Sequence, residues 1–224
     1  MITRVEPGRA RTPNRQRAAL VNTRSRETRL ALTRAALRLW SEGDDFDAAY
    51  EASTAADIAR AAGVSKGTLY FHFANKEAIL VEMSSATIRA MIDQVEAGTV
   101  QGIPLRSLGE QVMASMARRV ARGPKAAALR AGTLGFAFTG RADEGTLATP
   151  RLSVAFESLL RYGKERGELG AQLDVDEGAA MLTAVTMEAI MRWGAGDRSA
   201  SWLGQTLQDR VAVVLRGMSA PADN

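Results

Sequence analysis

The sequence has 224 residues, 46% of them hydrophobic, a net charge of +4 and no cysteine. Without cysteine there is neither a disulfide framework nor a thiolate metal site, and the single histidine, His72, excludes most histidine-based metal sites and Ser-His-Asp catalysis. Because no run is long and apolar enough to span a bilayer and the N-terminus lacks the apolar core of a signal peptide, we expect a soluble, cytoplasmic protein with no membrane contact and no cofactor.

The N-terminal region is strongly basic. Residues 1–30 hold eight arginines against two glutamates, which leaves a net charge of −2 for the rest of the chain. A basic end on a slightly acidic body is typical of a protein that contacts a polyanion at one end. Residues 1–22 are predicted to form a flexible basic arm whose arginines follow phosphates or enter a minor groove. The alternatives are a solvated leader and an extension of the first helix.

The first helix is predicted to run from Thr23 or Ser25 to Ser41. Its inward stripe has helical spacing and consists of Leu32, Ala35, Ala36, Leu39 and Trp40. Trp40 is predicted to be a core residue and not a ligand contact. Residues 43–49 follow and include Asp44, Asp45 and Asp47, which predict a solvated surface loop, with a cation site as the alternative.

Residues 53–76 carry the signals of two short helices joined by a tight turn. Thr54 is a good N-cap with Asp57 three residues later, close to a capping box. Gly63 follows the last apolar residue of the first helix, where a left-handed residue without Cβ costs least. Ser65 then caps the second helix. Helix, glycine turn and helix is the pattern of a DNA-binding helix-turn-helix.

The second of these helices, residues 65–73, divides its side chains between two faces. Leu69 and Phe73 are four residues apart, so they lie on one face and pack against the preceding helix. The other side carries Gly67, Thr68, Phe71 and His72, with Lys66 and Tyr70 at the margins. Glycine costs helix stability, roughly 1 kcal/mol relative to alanine, but lets the backbone approach a phosphate at the helix N-terminus. We therefore predict that this helix faces DNA.

Residues 63–80, GVSKGTLYFHFANKEAIL, resemble the helix-turn-helix signature of the tetracycline-repressor (TetR) family of bacterial regulators. Residues 35–40, AALRLW, and residues 50–59, YEASTAADIA, are similar to the flanking parts of the same motif, so the resemblance covers about residues 25–80. It puts Tyr50 at the family's usual aromatic site and makes residues 43–49 an insertion.

The resemblance also implies roles for individual side chains. It assigns phosphate contacts to Thr54, Tyr70, His72 and Lys76, and base edges to Lys66, Gly67 and Thr68. Tyr70 could do both, Ser65 is an N-cap that fixes the recognition helix, and Phe71 packs on a sugar or a thymine methyl, with inward packing as the alternative. Ala56 stands where many relatives carry an arginine near the bases, which leaves base contact from the first of the two helices open.

The rest of the chain also has helical spacing, so the predicted fold is all-α. A helix is predicted from Asn75 to about Ala97, connecting the DNA end with the body. Further helices are predicted over residues 105–122 and 125–139, from Thr149 and Pro150 to residues 167–170, over residues 176–193, and from Ser201 onward. The predicted domains are a helix-turn-helix domain at residues 23–75 and a helical effector-binding and dimerisation domain at residues 76–224.

The last two predicted helices are rich in small and aliphatic residues: Ala179, Ala180, Leu182, Ala184, Val185, Leu207, Val211 and Val214. Such residues allow close approach, and two helices from each of two chains then form a four-helix interface. The family resemblance implies a homodimer through these helices. The alternative is the ordinary core of a monomer.

Soft and aromatic residues of the middle helices suit a pocket for an apolar or aromatic ligand. They are Met91, Met113, Met116, Phe136, Phe138, Phe156, Tyr162, Met187 and Met191. The same side chains would equally fill a closed core.

Together with these patterns, the family resemblance implies a homodimeric repressor that is released from a palindromic double-stranded DNA operator by a small ligand. A ligand-independent DNA-binding or architectural protein and an activator remain as alternatives. An enzyme is not expected, because no nucleophile–base pair, metal-ligand spacing or phosphate loop is evident.

Overall fold

The structure is a computed structural model that describes residues 13–138 and 151–219, with side chains described for residues 23–133 and 151–219. These residues form α-helices joined by short loops: α1 (Pro13–Trp40), α2 (Phe46–Ala52), α3 (Ala55–Ala61), α4 (Lys66–His72), α5 (Lys76–Val100), α6 (Leu105–Val120), α7 (Lys125–Phe138), α8 (Leu152–Glu165), α9 (Val175–Gly194) and α10 (Ala200–Gly217). Within the described residues there is no strand, only one isolated bridge between Leu169 and Ser219. The prediction of an all-α fold is confirmed.

Side-chain caps begin the helices of the predicted helix-turn-helix where the sequence predicts them. Thr54 accepts from the backbone N–H of Asp57, whose carboxylate accepts from the Thr54 N–H in return, which completes a capping box. Ser65 accepts from the Thr68 N–H at 3.0 Å. Gly63 has a φ of +71°, the left-handed conformation that closes the turn between α3 and α4.

Two predictions near the N-terminus are wrong in part. Helix α1 begins at Pro13, so residues 13–22 are helical and only residues 1–12, which lie outside the described residues, remain of the predicted arm. Proline fits the first helical position because its φ is already helical and its missing N–H would have had no partner there.

Residues 43–49 do not form the predicted loop, because α2 begins at Phe46 within them. Asp45 accepts from the Ala48 N–H at 3.0 Å and caps this helix, and both Phe46 and Tyr50 are buried. A capping aspartate and a turn aspartate look alike in a sequence. Seven residues are also too few for a clear helical period.

The later boundaries differ less from the prediction. Helix α8 begins at Leu152, after an Arg151 without a side-chain cap, whereas the predicted start at Thr149 and Pro150 lies outside the described residues. Asp174 caps α9 and Ser199 caps α10, each within one or two residues of the predicted start.

The buried side chains form two hydrophobic clusters that share two helices. The DNA-end cluster contains Trp40 and Tyr50 with residues of α1 to α5, and the body cluster contains residues of α5 to α10. The start of α5 lies in the first cluster and its second half in the second. Helix α7 also touches both, because Ala127 belongs to the DNA-end cluster and Ala128 packs against the body cluster. Trp40 is fully buried, as predicted.

A search of the described helices for a segment with the length and hydropathy of a membrane span finds none.

Candidate nucleic-acid interface

Helix α4 has one buried and one exposed face. Leu69 and Phe73 are buried in the DNA-end cluster, which confirms the predicted inward face. Phe71 is 82% exposed and Tyr70 is 50% exposed. The alternative that Phe71 packs inward is therefore wrong. An aromatic ring so open to water has no role in holding this fold together.

The predicted polar residues at the N-caps of α3 and α4 and in the first turn of α4 are exposed or half-buried. Thr54, Ser65, Lys66 and Gly67 are exposed, and Thr68 is half-buried. A Cβ added to Gly67 would meet only the Ser65 hydroxyl oxygen, at 3.7 Å. The fold thus gives no steric reason for glycine at this position, whereas a molecule that approaches the helix closely would give one.

Arg29 of α1 holds the C-terminal end of α4, a role that the sequence analysis missed. Its guanidinium donates to the His72 carbonyl at 2.7 Å, forms an ion pair with Glu82 and lies 4.4 Å from the centre of the Phe73 ring. A carbonyl at a helix C-terminus lacks an intrahelical donor, so the cation supplies one. The partners are 43 and 53 residues away, and no local pattern indicates them.

His72 is half-buried beside this arginine. Burial lowers the pKa of its imidazole below the ordinary value, and the nearby charge of Arg29 lowers it further. His72 is therefore neutral at pH 7 and can still donate one hydrogen bond.

Lys76 does not point freely toward solvent as a phosphate-binding lysine would. Its ammonium donates to the carbonyls of Tyr50 at 2.8 Å, Ser53 at 3.1 Å and Glu51 at 3.5 Å, at the C-terminal end of α2. It also lies 4.5 Å from the centre of the Tyr50 ring. An ammonium has three donors, and all three are used within the protein.

The predicted effector residues are mostly packed as a closed core. Met91, Met113, Met116, Phe156 and Tyr162 are buried, and the Tyr162 hydroxyl donates to the Ile103 carbonyl at 2.8 Å. Met187 and Met191 are half-buried beside Gly132 of α7. Phe136 and Phe138 lie outside the residues whose side chains are described. The first five all belong to the body cluster of buried residues.

Two buried polar groups on α9 stand out in that core. The Thr186 hydroxyl and the Trp193 indole N–H are buried and find no hydrogen-bond partner among the described residues. They are seven residues apart, which is two helical turns, so they lie on one side of α9 about 10 Å apart along its axis. Each such group costs about 1–3 kcal/mol when it is left unpaired. Beyond their residue types, no pattern in the sequence indicates them.

The predicted dimer residues divide between core and surface. Ala179, Leu182, Leu207 and Val211 are buried within the chain itself. Ala180 and Ala184 are exposed, and Val185 and Val214 are half-buried. The surface also includes two apolar side chains that the prediction did not name, Met181 at 49% exposure and Val213 at 57%. A shallow surface cavity of about 280 Å³ lies here, lined by Val185, Asp209, Arg210, Val213 and Val214.

Comparisons with known proteins agree on one family. A family model for bacterial regulatory proteins of the TetR family matches residues 32–83. The A-factor receptor protein of Streptomyces griseus is 34% identical over 153 residues, which are 63% of this chain and 47% of that protein. The chain thus spans about half the length of this curated relative.

Solved structures share the fold over most of the chain. FadR of Thermus thermophilus, a TetR-family repressor solved in complex with lauroyl-CoA, superposes with a TM-score of 0.66 at 23% identity, covering 88% of this chain and 99% of that one. A gamma-butyrolactone receptor, an ArpA-like protein, superposes with a TM-score of 0.53 at 26% identity, covering 88% of this chain and 91% of that one.

Proposed function

We propose that this chain, whose residues 32–83 match the family model for TetR-family regulatory proteins, is a homodimeric transcriptional repressor that a small molecule releases from a palindromic operator. The observation that carries the DNA-binding part is the outer face of α4. That face combines a widely exposed phenylalanine, an exposed tyrosine and an uncrowded glycine on a helix whose other side is fully packed.

The proposed contacts follow from this geometry. Lys66, Gly67 and Thr68, in the first turn of α4, face base edges in the major groove. Phe71 supplies apolar contact with a sugar or a thymine methyl. Tyr70 and neutral His72 donate hydrogen bonds to phosphates, which fix the position of the helix on the duplex. Thr54 donates to a phosphate only by exchanging its hydroxyl hydrogen bond to the Asp57 carboxylate, 2.6 Å away.

Lys76 has a different proposed role from the one that the family resemblance implies. Since its donors are engaged by three carbonyls at the end of α2, we assign it to hold α2 against the start of α5. A phosphate contact would require exchange of one of these carbonyls. Replacing Lys76 with methionine is therefore expected to lower the free energy of unfolding and to leave the salt dependence of DNA binding nearly the same.

The surface of α9 and α10 is the proposed dimer interface. Its apolar side chains are Met181, Val185, Val213 and Val214, flanked by an Arg210–Glu188 ion pair. A short recognition helix contacts few bases, and two helices on a palindromic site add their binding free energies.

The proposed effector site is built around the unpaired Thr186 hydroxyl and Trp193 indole of α9. An apolar ligand with hydrogen-bond acceptors would accept hydrogen bonds from both groups. Its apolar surface would take the place of the side chains that now pack around them. Relatives of this chain bear the names A-factor receptor and gamma-butyrolactone receptor. A γ-butyrolactone with an alkyl side chain, whose ring carbonyl is an acceptor, is therefore the first probe that we propose.

Selection of bound duplexes from a random pool tests the DNA-binding proposal. The purified protein is expected to enrich a palindromic sequence, and Phe71→Ala is expected to weaken binding to it. Val100→Ala, at an 89% exposed position at the far end of α5, is the matched control and is expected to bind like the wild type. Failure to enrich any duplex would contradict the proposal, and enrichment without sequence preference would favour an architectural protein.

Titration of the selected complex with the alkyl γ-butyrolactone tests the effector proposal. Release is expected in the wild type, with a weaker response in Thr186→Val and Trp193→Phe. Release that is the same in both variants would remove these two residues from the effector site.

A further inference from the structure

Arg130 of α7 joins the body to the DNA-binding region. Its guanidinium donates to the Asp47 carboxylate at 2.6 Å and to the Glu51 carboxylate, and it lies 4.0 Å from the centre of the Tyr50 ring. We call these four residues the Arg130 clasp. One planar cation thus contacts two acidic side chains and one aromatic ring, all of them on α2.

The helix that carries Arg130 is itself fixed to the dimerisation helices. The ammonium of Lys125 donates to the carbonyls of Gly196 at 2.8 Å and Arg198 at 2.7 Å, in the loop between α9 and α10. Helices α7 and α9 approach closely, because a Cβ on Gly194 would lie 3.0 Å from the Leu129 Cβ and 3.1 Å from the Lys125 carbonyl oxygen. A displacement of α9 therefore moves α7 with it.

The other end of the clasp leads into the helix-turn-helix. Tyr50 is buried, its hydroxyl donates to Glu77 of α5 at 2.9 Å, and its ring packs 4.9 Å from that of Trp40. The Trp40 indole N–H donates to the Ser53 hydroxyl at 2.7 Å, one residue before the N-cap of α3. The helix that Arg130 contacts is thus linked to the start of α3 through Trp40 of α1 and Ser53.

We propose that the Arg130 clasp is a coupling contact, which holds the helix-turn-helix at a fixed orientation to the body and transmits displacements of α7 to α3 and α4. It goes beyond the proposed function, since it requires neither DNA nor an effector to be present. Residues 43–49, the insertion, supply the start of the helix that makes this contact possible.

Distance measurement between two spin labels tests the restraint. The chain has no cysteine, so Ala61→Cys on α3 and Glu165→Cys on α8, both exposed, introduce the only two thiols. Doubly labelled protein is diluted with excess unlabelled protein, so that distances within one chain dominate whatever the oligomeric state. A single narrow distribution is expected for the wild type, and a distribution at least twice as broad for Arg130→Gln.

Control variants separate the clasp from general damage to the fold. Arg106→Gln breaks an exposed ion pair with Glu110 within α6 and is expected to leave the distribution narrow. A second control exchanges the charges of the Arg130–Glu51 pair in protein that carries Asp47→Asn. There Arg130→Glu alone is expected to broaden the distribution, and the added change Glu51→Arg is expected to narrow it again. An unchanged distribution in Arg130→Gln, or no recovery in the exchanged pair, would overturn the proposal. Both results are independent of whether the protein binds DNA.

A displacement imposed on α7 tests transmission. Gly194→Ala places a Cβ against the backbone of α7 and forces the two helices apart. It is expected to shift the mean label distance in the wild type, and to shift it by less than half as much in Arg130→Gln. Equal shifts in the two backgrounds would show that the clasp transmits nothing.

Discussion

Single side chains far from α4 in the sequence hold this helix in place. Arg29 binds the last carbonyl of α4, contacts the Phe73 ring and pairs with Glu82 of α5. Its ion pair is only partly exposed to solvent, so salt screens it less than a surface pair. Arg29 therefore fixes the C-terminal end of α4 to α1 and α5, although we do not place it on the DNA.

The titration of His72 reports this arrangement. It is the only histidine, so its imidazole gives a single set of resonances in a ¹H NMR titration. We expect a pKa below the ordinary value of about 6.5, and Arg29→Gln should bring it part of the way back because burial remains. A value at or above the ordinary one in the wild type would contradict the structure.

The same shift has a consequence for stability. The unfolded chain takes up a proton on His72 near pH 6.5, whereas the folded protein does so only at lower pH. The contribution of neutral His72 to the free energy of unfolding is therefore complete above about pH 6.5. It is lost as the pH falls through the pKa that His72 has in the folded protein. His72→Gln should flatten this part of the curve of unfolding free energy against pH.

Thr186 offers a test of the unpaired groups in the body. Thr186→Val keeps the shape of the side chain and removes a buried hydroxyl that has no partner among the described residues. We expect the free energy of unfolding to rise by about 1 kcal/mol, because the cost of desolvating the hydroxyl disappears. Chemical denaturation measures this, and a loss of stability would mean that the hydroxyl has a partner in the folded protein.

At the scale of elements, local signals determined most helices but not their outer limits. The N-caps and the turn glycine act within three residues of themselves; they are Thr54, Ser65, Asn75 and Gly63. The sequence therefore placed α3, α4 and the start of α5 correctly. Helix α2 was missed because its stability comes from burying Phe46 and Tyr50 against a tryptophan, and a seven-residue helix has little period of its own.

A single change in helix α4, at Gly67, is expected to affect stability and DNA binding in opposite directions. Gly67→Ala meets no obstacle in the free protein and should stabilise α4, by up to about 1 kcal/mol, because alanine is the better helix former. On the selected operator the added methyl should obstruct the approach of DNA to the backbone and weaken binding at least about tenfold, ~1.4 kcal/mol. Thermal unfolding and a binding titration on one sample provide both numbers. Unchanged affinity would separate Gly67 from the DNA interface.

At the scale of the whole molecule, two clusters share helices α5 and α7, and contacts between distant parts of the chain decide how they are joined. Arg130 lies 83 residues from Asp47 and 79 from Glu51. Neither residue indicates the other in the sequence, since each is an ordinary charge on a helical surface. For the same reason the sequence predicted which helices carry soft residues but did not decide between a ligand pocket and a closed core.

Association of two chains is the test at this scale. Val213→Glu puts a carboxylate into the proposed interface on α10 and should convert a dimer to a monomer in analytical ultracentrifugation, because burying an unpaired charge is costly. Operator affinity should then fall by roughly a hundredfold or more, ~2.7 kcal/mol, with the loss of one half-site.

The exposed Val100 provides the control for this change. Val100→Glu adds the same charge at the far end of α5 and should leave the mass unchanged. A Val213→Glu protein that remains a dimer would show that the interface lies elsewhere on the chain.

The length of α5 has a consequence for the spacing of half-sites. Its 25 residues extend for about 37 Å, with one end in each cluster. A rotation of about 10° around its middle moves Lys76 by ~3 Å, close to the rise of one base pair, about 3.4 Å. Operators whose half-sites differ by a single base pair in separation would then select different tilts of the same helix.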